Sequence, residues 1–342
     1  MNEQGRSFYD QARDVSRLLV LDLGFLGDTV HLIPALHEIR RAWPKAELHV
    51  MAEEKAKKIL EVVPGIDVIL GYPRFPKGPK WYEDFGRVKR LRTSGYDAVI
   101  NLNGSDRSSI LTGTSGAKWR LGRVPPKPAA FWKYCFTHTV DVGQGGRPVF
   151  IQRLDCLKAA GLPVSEDAGY AVEIPADVKA AVDVKLDGGH DYIHISPCTT
   201  QDLKELPMDE LAKLVAALIA DNDGPKVVIS CAPNDREKGK VAELLSRLSE
   251  QPWKVFAGEL TLLELAEVIG RAKRHFGGDS GALHLALMMN TATVSWFRDY
   301  EGKVEWLPPG DEHRVVFGQE SPEGLQDLTA DQLLAAYQSS LA

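Results

Sequence analysis

The sequence predicts an α/β protein made of two doubly wound, Rossmann-like domains with parallel sheets. Three observations carry that reading. Strand-like apolar runs alternate with helix-like segments in both halves of the chain, the rhythm of right-handed βαβ units. The length, 342 residues, exceeds what one hydrophobic core usually organises. Each half also has a strand that empties through glycines into a helix, at GFLGD (24–28) and at GGDSG (277–281). Two such domains facing each other leave a ligand cleft between the carboxyl ends of their sheets.

The elements follow in order. RLLVLDL is a buried-strand candidate, and DTVHLIPALHEIRRAW has apolar residues at helical spacing. Pro34 should bend or delay that helix, because it lacks an N–H and crowds the preceding turn. ELHVMA, the helical EEKAKKILEVV, the strand DVIL, the segment WYEDFGRVKRLRTSGY and the strand DAVINL continue the alternation. Residues 122–149 are rich in Pro and Gly and read as an irregular, substrate-covering stretch. The helix VFIQRLDCLKAAGL and then YAVEIP follow, and the polar residues 175–190 read as an interdomain connection. A second series starts at DYIHISP. It runs through MDELAKLVAALIADN, KVVIS, DREKGKVAELLSRL, KVF, TLLELAEVIGRA, KRHFGGD, SGALHLALMM and TATVSWF to the closing helix TADQLLAAYQSSL. The expected division is a polar extension (1–16), an N-terminal domain (17–175), a C-terminal domain (176–328) and a terminal helix (329–342) that packs back on the N-terminal domain.

Composition narrows the function. The chain is 44% hydrophobic and 26% charged, ordinary for a soluble globular protein, and its net charge of −6 argues against general nucleic-acid binding. Cys135, Cys156, Cys198 and Cys231 are widely spaced, as suits reduced thiols in the cytoplasm rather than a disulfide frame or a zinc site. The first sixteen residues lack an apolar stretch of signal-peptide type, and no run approaches the length of a membrane span. HExxH and Cys–His clusters are absent, so no metal is expected; GxSxG is absent too.

Four constellations can carry chemistry. Asp28 either caps a helix starting at Thr29 or acts as a general base at the carboxyl edge of the first strand. In GGDSGALHLAL, Asp279 suits sugar hydroxyls, and the N–H groups of Ser280, Gly281 and Ala282 at a helix start suit a diphosphate; the alternative is an N-cap with His284 in the core. In HISPCTTQDLKELP, Thr199, Thr200 and Lys204 suit phosphate oxygens, unless Lys204 is a solvated surface group. In CAPNDRE, Asp235 either holds a ribose or caps its helix. Two basic clusters interleaved with aromatics point to an anionic acceptor or a membrane surface. The first holds Arg74, Lys77, Lys80, Arg87, Lys89, Arg90 and Arg92 with Trp81, against Glu83 and Asp84. The second holds Lys118, Arg120, Arg123, Lys127 and Lys133 with Trp119, Phe131 and Trp132.

Taken in order, GFLGDTVHLIPAL, NLNGSDRSSILTGTSGAKWRLG, SPCTTQDLKELP and GGDSGALHLA resemble the motifs of glycosyltransferase family 9, the ADP-heptose:lipopolysaccharide heptosyltransferases, over nearly the whole chain from residue 17. The resemblance implies a GT-B fold, with the acceptor on the N-terminal domain and the nucleotide sugar on the C-terminal one. It also implies inversion at the anomeric carbon without a metal. It casts Asp28 as the base, and Thr199, Thr200 and Lys204 as diphosphate contacts. Asp279, Ser280, Gly281 and His284 fall at the sugar–diphosphate site, and Asp235 near the ribose. Gly27, His31, Arg107 and Arg120 fall on the acceptor side. The expected co-substrate is an ADP-sugar, with ADP-heptose first. The expected acceptor is an anionic glycolipid or core oligosaccharide, met at the cytoplasmic face of the inner membrane. The chain departs from the family pattern at LGFLGD, where many members have a basic or serine residue before the GD, and at Leu206, where a tryptophan often precedes the proline. Transfer to protein or another glycan, sugar-nucleotide epimerisation and non-catalytic nucleotide-sugar binding are the alternative readings.

Overall fold

The computed structural model describes residues 6–74, 84–143, 145–221, 223–322 and 324–340. Lys77, Lys80, Trp81 and Glu83 of the first basic cluster, and the first five residues of the polar extension, lie outside the described residues. The chain divides into two compact units, Met1–Glu173 and Ile174–Ala342.

The first unit runs α1 (Phe8–Gln11), β1 (Arg17–Leu21), α2 (Leu26–Ala42), β2 (Glu47–Glu53), α3 (Lys57–Leu60), β3 (Val68–Tyr72), α4 (Asp84–Thr93), β4 (Ala98–Asn101), α5 (Asp106–Thr114), β5 (Trp119–Arg123), β6 (His138–Val140) and α6 (Val149–Ala159). Its six strands are all parallel, in the order β3-β2-β1-β4-β5-β6. Leu18 to Leu21 of the central β1 are fully buried, because a parallel strand covered by helices on both faces has no wet side. Part of the polar extension belongs to this unit: Phe8 is buried against Trp43 and His138. Residues 122–149 are less irregular than expected. They hold β6 and a 3₁₀ turn at Trp132–Cys135 that packs on α5, where Gly113 leaves room for the Cys135 backbone.

The second unit runs α7 (Ala176–Lys185), β7 (Tyr192–Ser196), α8 (Met208–Ala220), β8 (Lys226–Cys231), α9 (Asp235–Ser246), β9 (Lys254–Ala257), α10 (Leu262–Arg271), β10 (His275–Gly278), α11 (Gly281–Met288), β11 (Thr293–Arg298), β12 (His313–Ser321), β13 (Gly324–Gln326) and α12 (Ala330–Ser339). The sheet order is β13-β12-β11-β10-β7-β8-β9, parallel except for the β12–β13 hairpin. Residues 175–190 are not a plain connection: α7 buries Val182, and Leu186 just beyond it, against Tyr192 and Val268. The closing helix α12 buries Leu333 and Tyr337 in this unit's own core with Ile195 and Phe276. In each sheet the order reverses beside the unit's first strand, between β1 and β4 and between β7 and β10, and crevices open at such points.

Candidate active site

In the first unit the loop after β1 lies at this reversal. Helix α2 starts at Leu26, earlier than the Thr29 start that the capping reading assumed, and it runs unbroken past Pro34. Its N-cap, Phe25, has no side-chain acceptor, so the acid at the third helical position reaches back: Asp28 Oδ2 accepts the Phe25 N–H at 2.8 Å. A Cβ on Gly24 would sit 2.2 Å from the Asp28 Cβ, so only glycine lets the turn close this tightly. Asp28 therefore does hold the helix start, but with one oxygen, and its side chain remains 25% exposed.

Two residues that the sequence reading missed surround it. Asp22 is fully buried at the end of β1, and Arg153 reaches it from α6, Nη2 to Oδ2 at 2.5 Å. The same Nη2 lies 3.5 Å from Asp28 Oδ1, while Nη1 donates to the Asp28 carbonyl at 2.6 Å. Burial pushes the Asp22 carboxyl above its ordinary value; Arg153 opposes that and the charge on Asp28 adds to it. Beside this cluster a cavity of about 210 Å³ is lined by Leu23, Tyr72, Arg74, Asn103, Ser105 and Arg107. Arg74 donates to the Leu23 carbonyl and lies over the Phe25 ring, and Arg107 faces Asp84 at 3.7 Å.

The other acceptor-side candidates are placed differently. His31 is buried, bonded through Nδ1 to the Tyr170 hydroxyl at 2.6 Å and stacked on Phe150, and Gly27 is buried in the first turn of α2. Arg120 donates to the carbonyls of Ala117 and Cys135, and Arg123 to Gly143 and Gln152. Much of the second basic cluster thus holds its own loops.

In the second unit the loops after β7 and β10 meet at the equivalent position. Lys204 Nζ and Asp279 Oδ2 pair at 2.5 Å, both largely buried. Gly277 and Gly278 lie within β10, and what they allow is close approach: a Cβ on Gly278 would sit 2.7 Å from Trp296 Nε1 and 3.1 Å from the Lys204 carbonyl. Ser280 is the N-cap of α11, yet its hydroxyl caps nothing; Ser280 Oγ and Trp296 Nε1 are buried without a hydrogen-bond partner. By contrast α5, α9, α10 and α12 have side-chain caps in Ser105, Asn234, Thr261 and Thr329. An uncapped helix start beside a lysine is suited to an anion. His284, one turn in, packs edge-on against Trp306.

The loop from Thr199 to Glu205 is held by a network that the sequence reading also missed. Arg236 and Lys240, one turn apart on α9, grip Asp202 and Glu205, and Arg236 also donates to the Thr199 carbonyl at 2.8 Å. Bonds from Lys240 and Arg236 pull the Asp202 carboxyl down to about 2. The Thr199 hydroxyl is engaged in its own turn with Gln201, whereas Thr200 is exposed. Asp235 is exposed in the first turn of α9, whose cap is its neighbour Asn234.

Comparison with known proteins gives the family and the fold. The profile of glycosyltransferase family 9 (heptosyltransferase) matches residues 86–327. The chain belongs to glycosyltransferase family 9. A lipopolysaccharide heptosyltransferase 3 of Escherichia coli is 27% identical over 80% of this chain and 81% of its own. Among solved structures, a family 9 glycosyltransferase from Veillonella parvula superposes with a TM-score of 0.83 at 18% identity, covering 96% of this chain and 98% of its own. The E. coli heptosyltransferase WaaC with ADP-2-deoxy-2-fluoro heptose gives 0.74 at 18% identity, over 95% of this chain and all of its own. The two Rossmann-like units are those of the GT-B fold, and the protein is a glycosyltransferase. Among the described residues no group of three or more His, Cys, Asp or Glu side chains could hold a metal ion, and no helix is long and apolar enough to cross a membrane.

Proposed function

We propose that the protein moves a heptose, or a similar sugar, from an ADP-sugar to a hydroxyl of the lipopolysaccharide inner core, inverting the anomeric centre without a metal. The observation that carries this reading is Asp28: a partly exposed carboxylate at the reversal of the first sheet, with one oxygen on a backbone N–H and the other 3.5 Å from a guanidinium. A sugar hydroxyl is too weakly acidic to ionise first, so its proton leaves as its oxygen attacks the anomeric carbon. A positioned carboxylate assists that transfer by roughly 10²–10⁴-fold. The departing diphosphate gains charge, which Lys204 and the uncapped N–H groups at the start of α11 are suited to offset. The names of the relatives support the acceptor and the donor: one is a lipopolysaccharide heptosyltransferase, and another was solved with an ADP-heptose analogue. Arg74 and Arg107 in the cavity beside Asp28 suit an anionic acceptor, which the enzyme would meet at the cytoplasmic face of the inner membrane.

The test is nucleotide release from a panel of ADP- and UDP-sugars, with and without lipopolysaccharide core acceptor, and the anomeric configuration of the product by NMR. ADP release that needs acceptor, and an inverted linkage, are expected. Asp28→Asn should lose transfer by about 10²–10⁴-fold while ADP-sugar affinity stays near wild type. Full-rate transfer by that variant would reduce Asp28 to a helix-holding role.

A further inference from the structure

We propose that Asp22 and Arg153 are positioning residues for the Asp28 carboxylate: Asp22 holds the Arg153 guanidinium so that it orients Asp28 from 3.5 Å without closing onto its carboxylate in a direct hydrogen bond. The proposal rests on the reading of Asp28 as the proton acceptor.

Arg153 bonds tightly to two groups, neither of them the Asp28 carboxylate. Nη2 donates to Asp22 Oδ2 at 2.5 Å, and Nη1 to the Asp28 backbone carbonyl at 2.6 Å. The second bond fixes the first turn of α2, which carries Asp28. The carboxylate itself is left at 3.5 Å from Nη2, beyond a direct hydrogen bond. Asp22 cannot move toward Asp28 or solvent: it has no exposed surface, and its Oδ1 accepts the Gly24 N–H at 3.0 Å and faces Asn103 Nδ2 at 3.4 Å. Gly24, pressed against the Asp28 Cβ, closes the same turn from the other side.

Among the described residues, the charges around Asp28 are few. The turn after β1 supplies Asp22, α6 supplies Arg153, and the loop after β4 supplies the neutral Asn103. Arg74, beyond β3, is turned onto the Leu23 carbonyl and the Phe25 ring, while His31 on α2 is turned to Tyr170, and Asp155 on α6 is paired with Arg147. Among the described residues one cation therefore serves two carboxylates. A carboxylate paired directly with an arginine is a poorer base, because the cation favours its charged form by about one to three pH units. With Asp22 as its first partner, Arg153 can orient the catalytic carboxylate and leave it able to take a proton.

The experiment is steady-state kinetics across pH on the full chain, with ADP-heptose and a lipopolysaccharide core acceptor. In Asp22→Asn the guanidinium loses its anionic partner and turns to Asp28. The expected result is a kcat lower by about tenfold or more, an unchanged KM for the ADP-sugar, and an acidic limb of the kcat/KM profile moved to lower pH by about one unit. Arg153→Lys, which keeps a cation but cannot bond both Asp22 and the Asp28 carbonyl, should lower kcat at constant donor KM; it serves as the test if Asp22→Asn does not fold. If Asp28→Asn is inactive while Asp22→Asn, or Arg153→Lys in its place, matches wild type in kcat and pH profile, the positioning role is overturned and the base stands. If Asp28→Asn is itself active, the base reading has failed instead.

Discussion

The two units arrange their strands alike and arm the same place in opposite ways. β3-β2-β1-β4-β5-β6 in the first unit and β9-β8-β7-β10-β11-β12 in the second put each unit's first strand at the centre, beside the reversal. In the first unit the loop there gathers two carboxylates about one arginine; in the second it gathers a lysine against one aspartate beside an uncapped helix start. Topology thus supplies the crevice and the residues decide its chemistry. One edge suits taking up a proton, and the other suits holding negative charge.

After Asp28→Asn, the largest effect that would break this contrast lies at Lys204. Lys204→Ala removes the cation and leaves Asp279 at the start of α11 without its ion-pair partner, where its charge opposes an incoming diphosphate. A loss of about 10²–10³-fold in kcat/KM for the ADP-sugar is expected, with weaker ADP binding by calorimetry, unlike Asp28→Asn, which should spare binding. If Lys204→Ala binds ADP normally, the second unit's edge is not the anion-holding one.

The contrast extends to how the units bury titratable groups. Of the described Asp, Glu, His, Lys and Arg residues, the first unit leaves one without any exposure, Asp22, paired with Arg153, whereas the second leaves two, both imidazoles: His194 shares a 2.9 Å Nδ1–Nδ1 hydrogen bond with His275, and its Nε2 meets Ser230. Burial depresses His194 to about 3 and His275 well below the ordinary value. Burial also lowers His313 in the second unit and His138 in the first. A histidine depressed in the folded state binds fewer protons there than in the unfolded chain. Its stabilising contribution is complete above about pH 6.5 and is lost as pH falls toward the depressed value. By pH 5 each fully buried histidine should cost about 2 kcal/mol, and the second unit has more of them. Hydrogen exchange corrected for intrinsic rates should show protection falling faster in the second unit than in the first between pH 6.5 and 5. Equal slopes would mean that the buried pair takes up a proton without unfolding.

What the sequence could reveal follows the same physics. Central strands were readable because full burial writes them as apolar runs, as at Leu18–Leu21 and Val227–Ile229. The β12 strand was missed because HRVVFGQES is half-exposed along its length and carries no clean alternation, and β6 because it is three residues long in a stretch dense with Pro and Gly. Asp28, Lys204 and Asp279 could be singled out as charges in the strand-to-helix segments that follow β1, β7 and β10. Asp22 also ends such a strand, but its meaning depends on Arg153, 131 residues away, and no local pattern joins them. The Arg236–Lys240 grip on Asp202 and Glu205 was hidden for the same reason.

The smallest expected effect concerns Asp235, for which the sequence left cap and ribose contact both open. The cap of α9 is Asn234, whose side chain accepts the Glu237 N–H at 3.0 Å, and Asp235 is exposed one position further on. Asp235→Ala therefore removes only an acid near a helix N-terminus, and should change stability by no more than about 0.3–1 kcal/mol. As a ribose contact at a solvated edge, its loss should raise the KM for the ADP-sugar by about tenfold, at the low end for a hydrogen bond to a charged group, and leave kcat alone. A variant that shifts the thermal midpoint but not the KM would make Asp235 a helix-dipole residue. The second unit would then hold its nucleotide through the Lys204 loop and the α11 start without it.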